Sequence, residues 1–199
     1  PRAELVLDGK AKNGRAKKVK NIRELPVINL KHLQMLTDDT GLLQHAKYTA
    51  PDRNHGYCTD DNARALIVAA LTQQLSHVDT ALADDLCNRY LSFVLHAFDS
   101  NTGRFRNFMG YNRQWLETMG SEDSHGRGVW ALGMAIDALK NHPRQKLISS
   151  IFNRSVKAAE TFQSPRSIAF ALIGMDSYLK RFPGDSDTRR AFKQLSQRL

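Results

Sequence analysis

The chain is poor in cysteine. Cys58 and Cys87 are the only two, neither lies in a CxxC pair, and a disulfide framework of the kind that holds small secreted domains together is excluded. No stretch approaches the ~18 consecutive apolar residues of a membrane span, and the first residues lack the apolar core of a secretory signal. A cytoplasmic location is the expectation that follows. Glycine and proline, 12 and 6 of 199 residues, are too few for collagen-like or low-complexity sequence. Strand-like alternation is nearly missing, and there is no GxGxxG, P-loop or nucleophile elbow. What is present, 41% hydrophobic and 25% charged residues, suits one globular domain that buries roughly 70% of its unfolded surface.

The net charge of +9 is unevenly spread. Residues 1–24 hold eight basic side chains (among them Lys10, Lys17, Lys18 and Lys20) against three acids, with little periodicity. Residues 1–25 therefore read as a basic tail or linker, and residues 26–199 as the folded domain. Charge confined to a tail gives salt-sensitive, non-specific affinity for nucleic acid, and specific nucleic-acid binding ranks last among the functions considered.

Within the domain the signals are helical. A short helix over Ile28–Leu36 is followed by segments from about Thr59 or Asp60 to Leu75, Thr80 to Phe98, Ser124 to Lys140, Gln145 to Phe162, Pro165 to Phe182 and Ser186 to Leu199. Thr59 or Asp60, Asp79, and Ser121 with Ser124 are the expected caps, and Pro165 suits a first helical position. The first two long segments predict an antiparallel hairpin. The stretch between Asp99 and Asp123, with Phe105, Phe108, Tyr111 and Trp115, is a long loop expected to contain a small β-hairpin. The predicted class is all-α, built of antiparallel helical hairpins.

Alternate helices begin alike. Cys58-Thr59-Asp60-Asp61-Asn62-Ala63-Arg64 and Gly120-Ser121-Glu122-Asp123-Ser124-His125-Gly126-Arg127 each place two adjacent acids at a helix start and an arginine one turn in. Ser164-Pro165-Arg166 opens a looser third copy without acids. Such repetition marks a helical solenoid or toroid in which equivalent helix ends share one face. Capping accounts for one acid at each start but not for two. The second acid, with His55, Tyr57 and Arg64 around the first cluster and His125, Arg127 and Trp130 around the second, fits a site that grips sugar hydroxyls and supplies carboxylates for protonation and for attack or water activation. Gly126 and Gly128 weaken that helix start by up to ~1 kcal/mol each, which implies close approach of a backbone or a ligand. Tyr111 and Trp115 serve either as a stacking platform or as anchors of their loop. His55, Cys58 and Asp60 do not complete four zinc ligands, and Cys58 lacks an identifiable base, so no metal, cofactor or thiol nucleophile is expected.

The segments Leu36-Thr37-Asp38-Asp39-Thr40-Gly41-Leu42-Leu43-Gln44-His45-Ala46, His55 to Leu66, Ser121 to Arg127 and Ser164-Pro165-Arg166 together resemble a bacterial six-hairpin glycosidase-type domain, the kind found C-terminal to GT-B glycosyltransferases. The resemblance spans about residues 26–182. It implies an α/α toroid with a carbohydrate cleft at the inner helix ends, faced by Asp60, Asp61, Glu122 and Asp123. Six hairpins close such a ring. About three and a short leading helix are legible here, so the resemblance implies about half a toroid, whose open inner faces would associate with a partner or a second copy.

Two functions follow as expectations. The first is a carbohydrate-active domain, glycoside hydrolase- or phosphorylase-like, working on a glycan alongside a glycosyltransferase. Asp60, Asp61, Glu122 and Asp123 would be its catalytic acids, and His55, Tyr57, Arg64, Tyr111, Trp115, His125, Arg127 and Trp130 its substrate-binding groups. The second is a non-catalytic carbohydrate-binding or protein-interaction module of the same system.

Overall fold

The computed structural model describes residues 27–76, 78–140 and 142–199; the basic segment 1–25 lies outside them. The fold is mainly α. In chain order the elements are α1 (Lys31–Met35), β1 (Ala46–Lys47), β2 (Ala50–Pro51), a 3-10 turn (Arg53–His55), β3 (Tyr57–Cys58), α2 (Thr59–Thr72), α3 (Thr80–Ala97), β4 (Phe98–Asp99), β5 (Arg104–Phe105), β6 (Phe108–Met109), α4 (Glu122–Ala138), α5 (Arg144–Ala159), α6 (Pro165–Arg181) and α7 (Ser186–Ser196). No described helix is long and apolar enough to cross a membrane.

Three helical pairs, α2/α3, α4/α5 and α6/α7, stack side by side. Contacts fix the helix directions. Asp60 meets Arg127 where α2 and α4 begin, and Gln74 donates to the Ala138 carbonyl where they end, so these helices run parallel. Along α4 and α6 the approaches of Gly126 to Ser167, Trp130 to Phe170 and Gly133 to Gly174 advance together. In the second layer, Arg144 binds Asp84 near the starts of α5 and α3, and Arg154 donates to the Ser100 carbonyl near their ends. Thus α2, α4 and α6 form one parallel layer, and α3, α5 and α7 run the other way behind it.

The sequence explains the tightness of the first layer. A side chain on Gly133 or Gly174 would strike the backbone of the other helix, and a Cβ on Gly126 would lie 2.7 Å from the Ser167 carbonyl oxygen. These glycines exist for helix contact, the backbone alternative among the two expected at Gly126; Gly128 makes room for the Phe105 ring. The core between the layers includes Leu66, Leu86, Leu132, Ile136, Phe152 and Met175, all essentially inaccessible.

The long loop is more ordered than its composition suggests. β4 and β5 form the expected small hairpin, turned through Gly103 at φ +70°, while β6 pairs with β3 and ties the loop to the start of α2. The α2 cap differs from expectation. Cys58, rather than Thr59 or Asp60, caps the helix by accepting the Asp61 amide at Sγ, because the Thr59 hydroxyl is committed to the Arg106 carbonyl across that strand pairing.

Candidate functional site

Parallel packing brings the N-termini of α2, α4 and α6 to one end of the layer. The arginines near these helix starts then fall beside carboxylates, Arg64 those of its own helix, Arg127 those of α2 and α4, and Arg166 that of α4. Arg127 Nε lies 3.1 Å from Asp60 Oδ1 and 3.1 Å from Asp123 Oδ2. Arg64 reaches Asp60 at 3.1 Å and Asp61 at 2.5 Å, and Arg166 reaches Asp123 Oδ1 at 2.7 Å. Three carboxylates and three guanidiniums from three helices form one network.

The two bridged carboxylates differ. The single Nε–H of Arg127 is donated to Asp123 Oδ2, whereas Asp60 Oδ1, like Asp123 Oδ1, is buried with guanidinium charge nearby but no aligned donor among the described residues. Burial raises the Asp60 proton affinity above the ordinary carboxylate range, against the opposing pull of Arg64 and Arg127. Asp61 is less free. It accepts the Cys58 thiol at 3.0 Å as well as Arg64, and burial together with that carboxylate keeps Cys58 protonated, which removes it as a nucleophile.

A column of flat groups supports the network. The Arg127 guanidinium sits 4.4 Å over the Phe170 ring, and Phe170 stacks on Trp130 at 5.4 Å with 9° between planes. The indole N–H of Trp130 is buried without a partner among the described residues.

Several residues expected at the site are elsewhere or otherwise occupied. Glu122 points into the α5–α6 connection, where its carboxylate accepts the amides of Gln163 and Ser164 at 3.0 and 2.9 Å. It supplies the cap that Ser164 does not give α6, and is not available as a catalytic acid. His125 is completely buried. Its Nδ1 accepts the Phe105 amide, so Nε2 carries the proton given to the Ser155 carbonyl, and burial drives its pKa down to about 3; it is a core residue and cannot touch substrate. Tyr57 is also buried, donating its hydroxyl to Asp38. Trp115 packs on Phe93 and His96 with Arg106 over its ring, which makes it the anchor of its loop rather than a platform. His55 and Tyr111 are exposed, engaged respectively with His45 and with Arg53 and Tyr57, and neither touches the network. Asp60, Asp61, Asp123, Arg64, Arg127 and Trp130 are the expected residues that come together.

Arg166 and Phe170 complete the cluster and were not among the residues expected there. The signal for Arg166 is the third copy of the helix start, Ser164-Pro165-Arg166, which carries an arginine but no acids of its own and borrows Asp123 from α4. Among the described residues no group of three or more His, Cys, Asp or Glu side chains is placed to hold a metal ion. No protein-family model matches the chain, and no characterised protein matches it.

Proposed function

We propose that the chain is a carbohydrate-active domain with glycosidase- or phosphorylase-like acid/base chemistry, acting on a glycan in a glycosyltransferase-linked system. The observation that carries this reading is the convergence of Asp60 and Asp123, from two helices, on the one Arg127 guanidinium. Asp60, with its raised proton affinity, is suited to protonate a glycosidic oxygen. Asp123, hydrogen-bonded by Arg127 and paired with Arg166, is placed to act as nucleophile or base. Both oxygens lie 3.1 Å from a single nitrogen, so the two acids face one common gap, as a pair flanking a glycosidic bond must. Turnover requires the Arg127 head to leave the gap between the acids as the sugar enters.

That last requirement favours a second reading. A guanidinium occupying the space where a glycosidic bond would lie, with Glu122 committed to backbone amides, fits a module that binds glycan without cleaving it. The deciding experiment is release of sugar, with and without inorganic phosphate, from a panel of oligosaccharides by the purified chain. Asp60→Asn and Asp123→Asn should each lower turnover by roughly 10²-fold or more, while Glu122→Gln retains it. Full activity in both aspartate variants overturns the catalytic reading; saturable glycan binding without turnover supports the second.

A further inference from the structure

The first three amides of α2 are taken, and none of them by an acid of that helix. The Asn107 carbonyl accepts the Thr59 N–H at 2.8 Å, the Asn107 side-chain oxygen accepts the Asp60 N–H at 3.2 Å, and Cys58 Sγ accepts the Asp61 N–H at 3.4 Å. An aspartate in a first helical turn ordinarily folds back on such amides, because they are the nearest donors and the helix dipole favours it. Here the acceptors come from outside the turn, and the Asp60 carboxylate is left to face Arg64 and Arg127.

Asn107 is itself held fast. It lies between β5 and β6, remote from Asp60 in sequence, and only 9% of its surface is exposed. Its own N–H goes to Glu117 Oε1 at 2.5 Å, and the same oxygen accepts the Phe108 amide. The carbonyl of Arg106, one residue earlier, accepts the Thr59 hydroxyl at 2.6 Å. Gly120 closes in from the other side, where a Cβ would lie 3.0 Å from the Asn107 nitrogen. The side-chain orientation follows from its chemistry, since only the oxygen of an amide can accept from the Asp60 N–H. A residue tied at its N–H, its carbonyl and its side chain is a fixed point for the start of α2.

We propose that Asn107 is a positioning residue of the candidate site: by accepting the Asp60 amide it keeps the Asp60 carboxylate turned away from its own helix and toward Arg127. Its part in glycan cleavage rests on the reading of Asp60 as the acid, whereas its hold on the direction of that carboxylate does not. Without Asn107 the open amide needs an acceptor, and the first-turn carboxylate is free to fold back onto it. Amide donors favour the ionised form of a carboxylate, so the proton affinity of Asp60 falls as it turns. The charged groups around Asp60 are Arg64, Arg127, Asp61 and Asp123. Replacing a neutral amide removes none of these charges, so a shift in the Asp60 titration reports movement of its carboxylate.

Carboxyl-carbon magnetic resonance titration of the full chain tests this, with the Asp60 signal identified by its loss in Asp60→Asn. In Asn107→Ala, shown to be folded by circular dichroism, Asp60 should titrate about one pH unit lower than in the unaltered chain. Asn107→Ser, whose hydroxyl is one bond short of the amide, should do the same and serves where the alanine variant does not fold. Asn107→Asp keeps an oxygen for the Asp60 amide and should leave the titration at or above its unaltered value. Asn107→Ala should also lower kcat for glycan roughly tenfold with KM changed less than about threefold, and Asn107→Asp should recover most of that loss. An Asp60 titration unmoved in the alanine and serine variants, or lowered equally in Asn107→Asp, overturns the proposal. A chain that turns over no glycan but whose Asp60 titration still falls in Asn107→Ala overturns the catalytic reading alone.

Discussion

Helix α4 has two unlike sides. Toward α5 and α6 every position is closed. His125 is satisfied at both ring nitrogens, Gly133 meets the α6 backbone, and Leu132, Ala135 and Ile136 have no exposed surface. On the other side the same helix presents Arg127, Trp130 and Met134 to a face with no described neighbour across it. The closed side tolerates no change of volume or charge. The open side is held only laterally, Arg127 by Asp60 and Asp123, Trp130 by Phe170, and Met134 by the Ser177 hydroxyl.

The largest expected effect comes from charging the closed side. His125 has its pKa pushed down to about 3 by burial, against ~6.5 for a free imidazole. The unfolded chain therefore takes up a proton that the folded chain refuses, and the stabilisation, complete above ~6.5, is lost at up to about 1.4 kcal/mol per pH unit as pH falls toward 3. Protonation at Nδ1 would also break the bond from the Phe105 amide. Imidazole resonances should show His125 neutral at pH 5, with its proton on Nε2. A His125 resonance titrating near 6.5 would contradict the buried placement.

Filling the helix seam should cost less but still unsettle the fold. In Gly133→Ala the new methyl strikes the Gly174 carbonyl, and the helices must separate. Overpacking of this kind costs up to ~3 kcal/mol, of which about 1 kcal/mol is regained because alanine favours helix over glycine. A net loss of about 2 kcal/mol in urea denaturation is expected. A gain in stability would mean that α4 and α6 are not in backbone contact there.

How much of this was legible beforehand depends on the scale of each signal. The helices, the small hairpin in the long loop and the likeness of alternate helix starts come from local periodicity and capping residues, and they appear in the structure within a few residues of the expected bounds. The parallel layer follows from that likeness, and it placed Asp60 and Asp123 together. Side-chain direction was not legible. Glu122 and Asp123 are adjacent, but 100° of helical turn separates neighbouring residues, which sends one into the α5–α6 connection and the other to the shared face. His125 and Tyr57 carry polar atoms that suggest a site, yet the partners that bury them, Ser155 and Asp38, are remote in sequence or hidden in a loop. Phe170 was unreadable because its role exists only through its neighbours on α4, Arg127 and Trp130.

Glu122 separates capping from catalysis. Its carboxylate holds the two amides where α6 begins, and Glu122→Ala should lower stability by about 1 kcal/mol, the usual value of a lost cap. Glycan turnover, measured at a temperature where the variant is fully folded, should be unchanged. A large loss of turnover with normal stability would return Glu122 to the site.

The smallest effect is expected on the open side. Ile173 keeps 45% of its surface in water, and full burial of such a side chain is worth about 1.5–3 kcal/mol, so Ile173→Ser should cost the monomer roughly 1 kcal/mol or less. Dilute samples are needed, because any association across this face adds its own free energy to the folded state. Urea denaturation at sub-micromolar concentration, monitored by tryptophan fluorescence, isolates the monomer. A loss of 2 kcal/mol or more under those conditions would place Ile173 in an environment as closed as that of Gly133, with the cover supplied from within the same chain. The contrast between the two sides of the layer would then disappear.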